Sequence, residues 1–79
     1  MAIKDLTQIH NSMDVEVVDI NGNYQFREKI ESMGLRIGVH LTKLSTQVMH
    51  GPVTVKVGNT KIAIGHGMAK KIMVSGNNV

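Results

Sequence analysis

The sequence predicts a mainly β domain: a small SH3-like barrel of about five short strands, with one inserted α-helix and a short helical turn before the last strand. Three observations carry that prediction. Ten Val and eight Ile, against one Tyr, one Phe and no Trp, make an aliphatic core whose β-branched residues favour strands. Apolar and polar residues alternate with period two in several short runs that break at Gly or Asn. Only one stretch, about residues 23–33, carries apolar residues at helical spacing.

The elements follow in order. Met13, Val15 and Val17 alternate with Asp14 and Glu16, and then the phase flips, because Val18 and Ile20 continue on the other parity. Such a flip predicts a bulge or bend of the kind a small barrel needs. Asn21-Gly22-Asn23 ends this strand, and Asn23 is placed to cap a helix. Phe26, Ile30 and Met33 form the helix's inward stripe; Arg27, Glu28 and Glu31 lie on the outer face, where Arg27 and Glu31 can pair. Gly34 stands at the left-handed position that ends many helices. Arg36-Ile37-Gly38 reads as a turn, after which Val39, Leu41 and Leu44 outline a second strand with its own change of parity. Residues 45–51 are polar and irregular. Pro52 opens the clearest strand, in which Val53, Val55 and Val57 alternate with Thr54 and Lys56. Gly58-Asn59 is a hairpin pair leading into Lys61–Ile64. Gly65-His66-Gly67 breaks that strand, Met68–Lys71 is expected as the helical turn, and Ile72-Met73-Val74 as the last strand, with Met33 and Met73 in the core. Closing such a sheet would remove exposed edges. Residues 1–74 are expected as a single domain and 75–79 as a flexible C-terminal tail.

Composition excludes several function classes. With no Cys there are no disulfides, thiolate metal sites or cysteine nucleophile. Two aromatic residues supply neither a stacking platform for single-stranded nucleic acid nor a groove for proline-rich peptides. The net charge of +3 and pI near 9.5 come from dispersed lysines, the pattern of solubility charge rather than of a phosphate-tracking surface. No apolar run exceeds three residues, so neither a membrane span nor a signal peptide is expected, and the cytoplasm is the expected location. No nucleophile elbow or phosphate-cradling Gly-Lys loop is present, which argues for a non-enzyme.

The residues Met33-Gly34-Leu35-Arg36-Ile37-Gly38 resemble the Met-Gly-x-x-Pro-Gly signature that follows the helix in the ferrous iron transport protein A (FeoA) family. Gly51-Pro52 before a Val-rich strand resembles that family's Gly-Pro turn, and Ile62-Ala63-Ile64 followed by Ala69, Ile72 and Val74 resembles its C-terminal pattern. Three departures stand out: Ile37 replaces the usual Pro, Leu44-Ser45-Thr46-Gln47 replaces an Arg-Ala-Pro segment, and Gly65-His66-Gly67 replaces a charged stretch. The resemblance implies an SH3-like barrel and a cytoplasmic accessory role to the GTP-dependent ferrous iron transporter FeoB. The partner surface would then include Arg27, Glu31 and Arg36 with the loop His50-Gly51-Pro52. The same barrel type occurs in iron-dependent repressors, whose DNA-reading helices find no place here.

Four histidines are candidate metal ligands: His10, His40, His50 and His66. None forms a helical or strand ligand pair, but His50 and His66 lie in Gly-flanked loops that could approach one another. No cofactor is expected to be required, a weak or adventitious Fe or Zn ion aside. Two alternatives stay open: a nucleic-acid-binding module using Lys43, Lys56, Lys61, Lys70 and Lys71, and a metal-binding or metal-sensing module using the histidines. Oligomeric state is open between a monomer and a homo-oligomer.

Overall fold

The computed structural model describes residues 3–46 and 49–76. Along the chain run β1 (Ile3–Asp5), β2 (Asp14–Ile20), α1 (Tyr24–Ser32), β3 (His40–Thr46), β4 (Val53–Val57), β5 (Thr60–Ile64), α2 (His66–Ala69) and β6 (Ile72–Ser75). The strands form one antiparallel sheet in the order β1-β6-β2-β3-β4-β5. This is the mainly β, SH3-like architecture expected, with two corrections. A sixth strand, β1, is present; at three residues it is too short to display alternation, and its Ile3 is 59% exposed. The sheet is also not closed, since among the described residues no ladder joins β1 to β5. A very short edge strand limits pairing with other chains without closure.

Both parity flips are bulges. Val17 pairs with Val74 and Asp19 with Met73, so Val18 is the extra residue of β2. Lys43 pairs with Val55 and Ser45 with Thr54, which makes Leu44 the extra residue of β3. Because of its bulge β2 turns Val15, Val17 and Ile20 to the same core. Leu41, Val53, Val55, Ile64, Ile72 and Val74 complete the sheet's contribution, and Leu6, Ile9, Ile30, Leu35 and Ala69 cover it. Each fully buried aliphatic side chain here contributes roughly 1.5–3 kcal/mol.

The α1 boundaries follow from hydrogen bonding. The Asn23 side-chain oxygen accepts from the Phe26 N–H at 2.8 Å. Ile30 is fully buried, with Phe26 and Met33 half-buried on either side of it. At the other end the Gly34 N–H donates to the Glu31 carbonyl at 2.9 Å and the Leu35 N–H to the Ile30 carbonyl at 3.3 Å. This is a Schellman closure, with Gly34 at φ 98° and buried Leu35 packed in the same core as Ile30. The chain then turns at once: the Val39 N–H donates to the Arg36 carbonyl at 3.0 Å, with Gly38 at φ 96° in the third position. A type II turn has this arrangement, and proline is favoured at its second position, here Ile37. Gly38 and Val39 bond the Val17 carbonyl and N–H at 2.8 and 2.9 Å, which fixes the turn to β2.

Smaller corrections concern side chains and ends. Among the described residues no ion pair joins Arg27 to Glu31. The helical turn starts at His66 rather than Met68, because the Ala69 and Lys70 N–H groups reach back to the Gly65 and His66 carbonyls. Met73 is only half-buried; it lies opposite Asp5 and Asp19, on the face away from Ile72 and Val74. Ser75, expected in the tail, is buried within β6. Of the remaining tail, residues 77–79 lie outside the described residues, as do 47 and 48 of the irregular stretch.

Two substitutions test this reading. Ile37→Pro should stabilise the fold by about 0.4–1 kcal/mol, a rise of several degrees in thermal midpoint, because proline pre-sets the turn. Gly34→Ala should destabilise by about 1–2 kcal/mol although its Cβ would meet open space, since the cost lies in the backbone angle alone. Thermal melts of both variants check the pair.

Candidate interaction surfaces

The outer face of α1 holds the first candidate surface. Gln25, Glu28, Lys29 and Ser32 recur at helical spacing and line, with Glu31 and Arg36, an open hollow of about 540 Å³. Two of the partner residues expected from sequence, Glu31 and Arg36, therefore stand together; Arg27 is exposed on α1 but does not line the hollow. The hollow mixes two carboxylates with two cations. At its edge Tyr24 is 74% exposed, and a hydrogen bond with Glu28 holds its hydroxyl pKa above the usual tyrosine value. Periodicity along the helix carried the signal for Gln25, Lys29 and Ser32, but their polarity gave no reason to single them out.

The basic reading loses one of its lysines. Lys43 is 2% exposed, and its ammonium donates to the Ile9 carbonyl at 2.7 Å. Its backbone is used as well: its N–H donates to Met13 at 3.0 Å and its carbonyl accepts from Ser12. Lys43 thus ties the β1–β2 connection to the centre of the sheet through three polar groups. Burial lowers its pKa, partly offset by Asp5. Lys71 is engaged too, its ammonium lying 4.9 Å from the centre of the Phe26 ring.

The histidines divide. His10 is exposed, and His40 stands across from Glu16 at 4.0 Å on the outer face of β2 and β3, where Thr42 also bonds Asp14. His50 and His66 are in contact: His50 Nδ1 lies 3.1 Å from His66 Nε2. Among the described residues no three His, Asp or Glu side chains converge on one point. Gly51 and Pro52 follow His50 in the β3–β4 loop. Of the signature residues, Leu35, Ala69, Ile72 and Val74 are buried and Met33 half-buried, whereas Ala63 is exposed opposite Thr54.

A six-stranded SH3-like sheet carrying this helix-closing Met-Gly-Leu and glycine turn defines a class of small β domains. The FeoA domain model matches residues 4–76, and the chain belongs to that family. It is 38% identical over 61 residues to the provisionally named Fe(2+) transport protein A of Methanocaldococcus jannaschii, covering 77% of this chain and 72% of that one. The crystal structure of an iron uptake regulatory protein (FeoA) superposes with a TM-score of 0.84 at 32% identity, over 95% of this chain and 97% of that one. The manganese regulator SloR shares the fold, with a TM-score of 0.82 at 18% identity over 94% of this chain but 34% of its own. No helix among the described residues is long and apolar enough to cross a membrane.

Lys43 predicts a pH signature. Because its pKa is lowered on folding, there is a pH interval in which the unfolded chain holds a proton that the folded chain has lost. Stability therefore rises with pH through that interval and levels off above the ordinary lysine value of 10.5. Urea unfolding midpoints between about pH 8 and 10.5 should show this rise, and Lys43→Met should remove it.

Proposed function

We propose that this protein is a non-catalytic accessory component of ferrous iron uptake that acts in the cytoplasm by docking on the cytoplasmic part of FeoB. The FeoA domain match along residues 4–76 carries this reading. The surface supports a protein partner. Exposed Tyr24 beside a hollow of mixed charge is suited to a buried aromatic anchor ringed by ion pairs, whereas a nucleic-acid surface would present cations alone. The loop His50-Gly51-Pro52 supplies a second point of contact.

The test is retention of the purified protein on detergent-solubilised FeoB. Wild type should be retained, and Tyr24→Ala and Arg36→Glu should each weaken binding at least about tenfold without changing the thermal melt. Retention no better than that of an unrelated small barrel of similar charge overturns the proposal. A mobility shift with DNA or RNA at low salt would instead favour the basic module.

A further inference from the structure

His50 and His66 come from different parts of the chain, the β3–β4 loop and the start of α2, yet their rings meet edge to face with centroids 4.6 Å apart at 78°. The facing nitrogens, His50 Nδ1 and His66 Nε2, are 3.1 Å apart. Two nitrogens bonded to one ion at about 2.0–2.1 Å, with an angle of about 100° between the bonds, have this separation. We propose that the two rings form a site for one divalent transition-metal ion, bound through His50 Nδ1 and His66 Nε2.

The backbone and the burial favour that placement. Met49 and His50 are consecutive residues in the left-handed region, at φ 61° and 64°, where residues other than glycine are uncommon. Both residues lie in the exposed β3–β4 loop that brings the His50 ring to His66. On the far side of the second ring, His66 Nδ1 is buried without a partner. An ion cannot reach that nitrogen, so Nε2 is the only open donor of His66, and it faces His50.

Imidazole nitrogen is a borderline ligand that suits Zn(II), Co(II), Ni(II) and Fe(II). The ion takes the place of the hydrogen shared by the two rings. The donor ring moves its hydrogen to its own far nitrogen, so two neutral histidines bind with no net proton release. Acid removes the site, because protonated imidazole has no lone pair to offer. Two protein ligands leave the other coordination positions to water or to a donor from another molecule. The unanchored Nδ1 of His66 keeps the affinity below that of a centre whose histidines are held by carboxylates. The loop that carries His50 is also a contact of the FeoB reading, but metal binding is measured on the purified chain alone, so the failure of one reading is distinguishable from that of the other.

The experiment is titration of the full chain with Zn(II) and with Co(II) at about pH 7.5, followed by calorimetry and, for Co(II), by visible absorption. One ion per chain is expected. His50→Ala and His66→Ala should each cut the affinity at least about tenfold, and His10→Ala and His40→Ala should leave it unchanged. Thermal melts establish that the variants fold, and ring-nitrogen NMR shifts of His50 and His66 on adding Zn(II) give a second readout in the unmutated protein. No binding up to millimolar ion, or binding indifferent to both substitutions, overturns the proposal.

Discussion

The structure depends on bending one antiparallel sheet far enough to cover a single aliphatic core with the help of one nine-residue helix and one four-residue helical turn. Ridges of β-branched residues pack well on a pleated surface but do not bend it. The bend comes where Val18 and Leu44 enter β2 and β3 as unpaired extra residues. Without the extra Val18, β2 would turn Ile20 to the face opposite Val15 and Val17. The helix and its closing turn then cover the remaining opening. Ile30 and Leu35 enter the core from the two sides of the Schellman closure, and the next turn is bonded straight back to β2.

Lys43 shows how such a small core handles polar atoms. The long connection from β1 to β2 brings Leu6 and Ile9 inward, and its backbone comes with them. A buried carbonyl needs a donor, and the Lys43 ammonium supplies one to Ile9 from within the sheet. The arrangement is costly in desolvation, which is why the lysine's proton is held less tightly than usual. In exchange, the connection is fixed without a disulfide, in a chain that has no cysteine.

Much of the fold was legible in the sequence because it is written in local terms. The two parity changes mark the two bulges, Asn23 marks the helix start, Gly34 its end, and Gly58-Asn59 the hairpin between β4 and β5. What was not legible depends on contacts distant in sequence. β1 has no pattern of its own and exists because β6 offers it an edge. Lys43 reads as surface charge, since nothing nearby in sequence announces the carbonyl it will meet. Met73 reads as core although the strand's pleat turns it outward. Of the candidate sites, the His50–His66 contact could be anticipated only as two Gly-flanked loops, because their closeness is set by how β4, β5 and α2 return the chain. The α1 hollow was half legible: Glu31 and Arg36 were among the expected partner residues, while Gln25, Glu28, Lys29 and Ser32 were not.

The place of β6 between β1 and β2 has a consequence for how the protein is made. Strands β2 to β5 are sheet neighbours in sequence order and can assemble as a meander while the chain is still being synthesised. β1 has no partner among those four strands, and the edge of β2 away from β3 is unpaired until β6 joins it. Both wait for residues 72–75, which fill the gap from the far end of the chain. A sheet lacking β6 therefore exposes the outer edge of β2 as well as that of β5, and β6 is the strand that both covers β2 and captures β1.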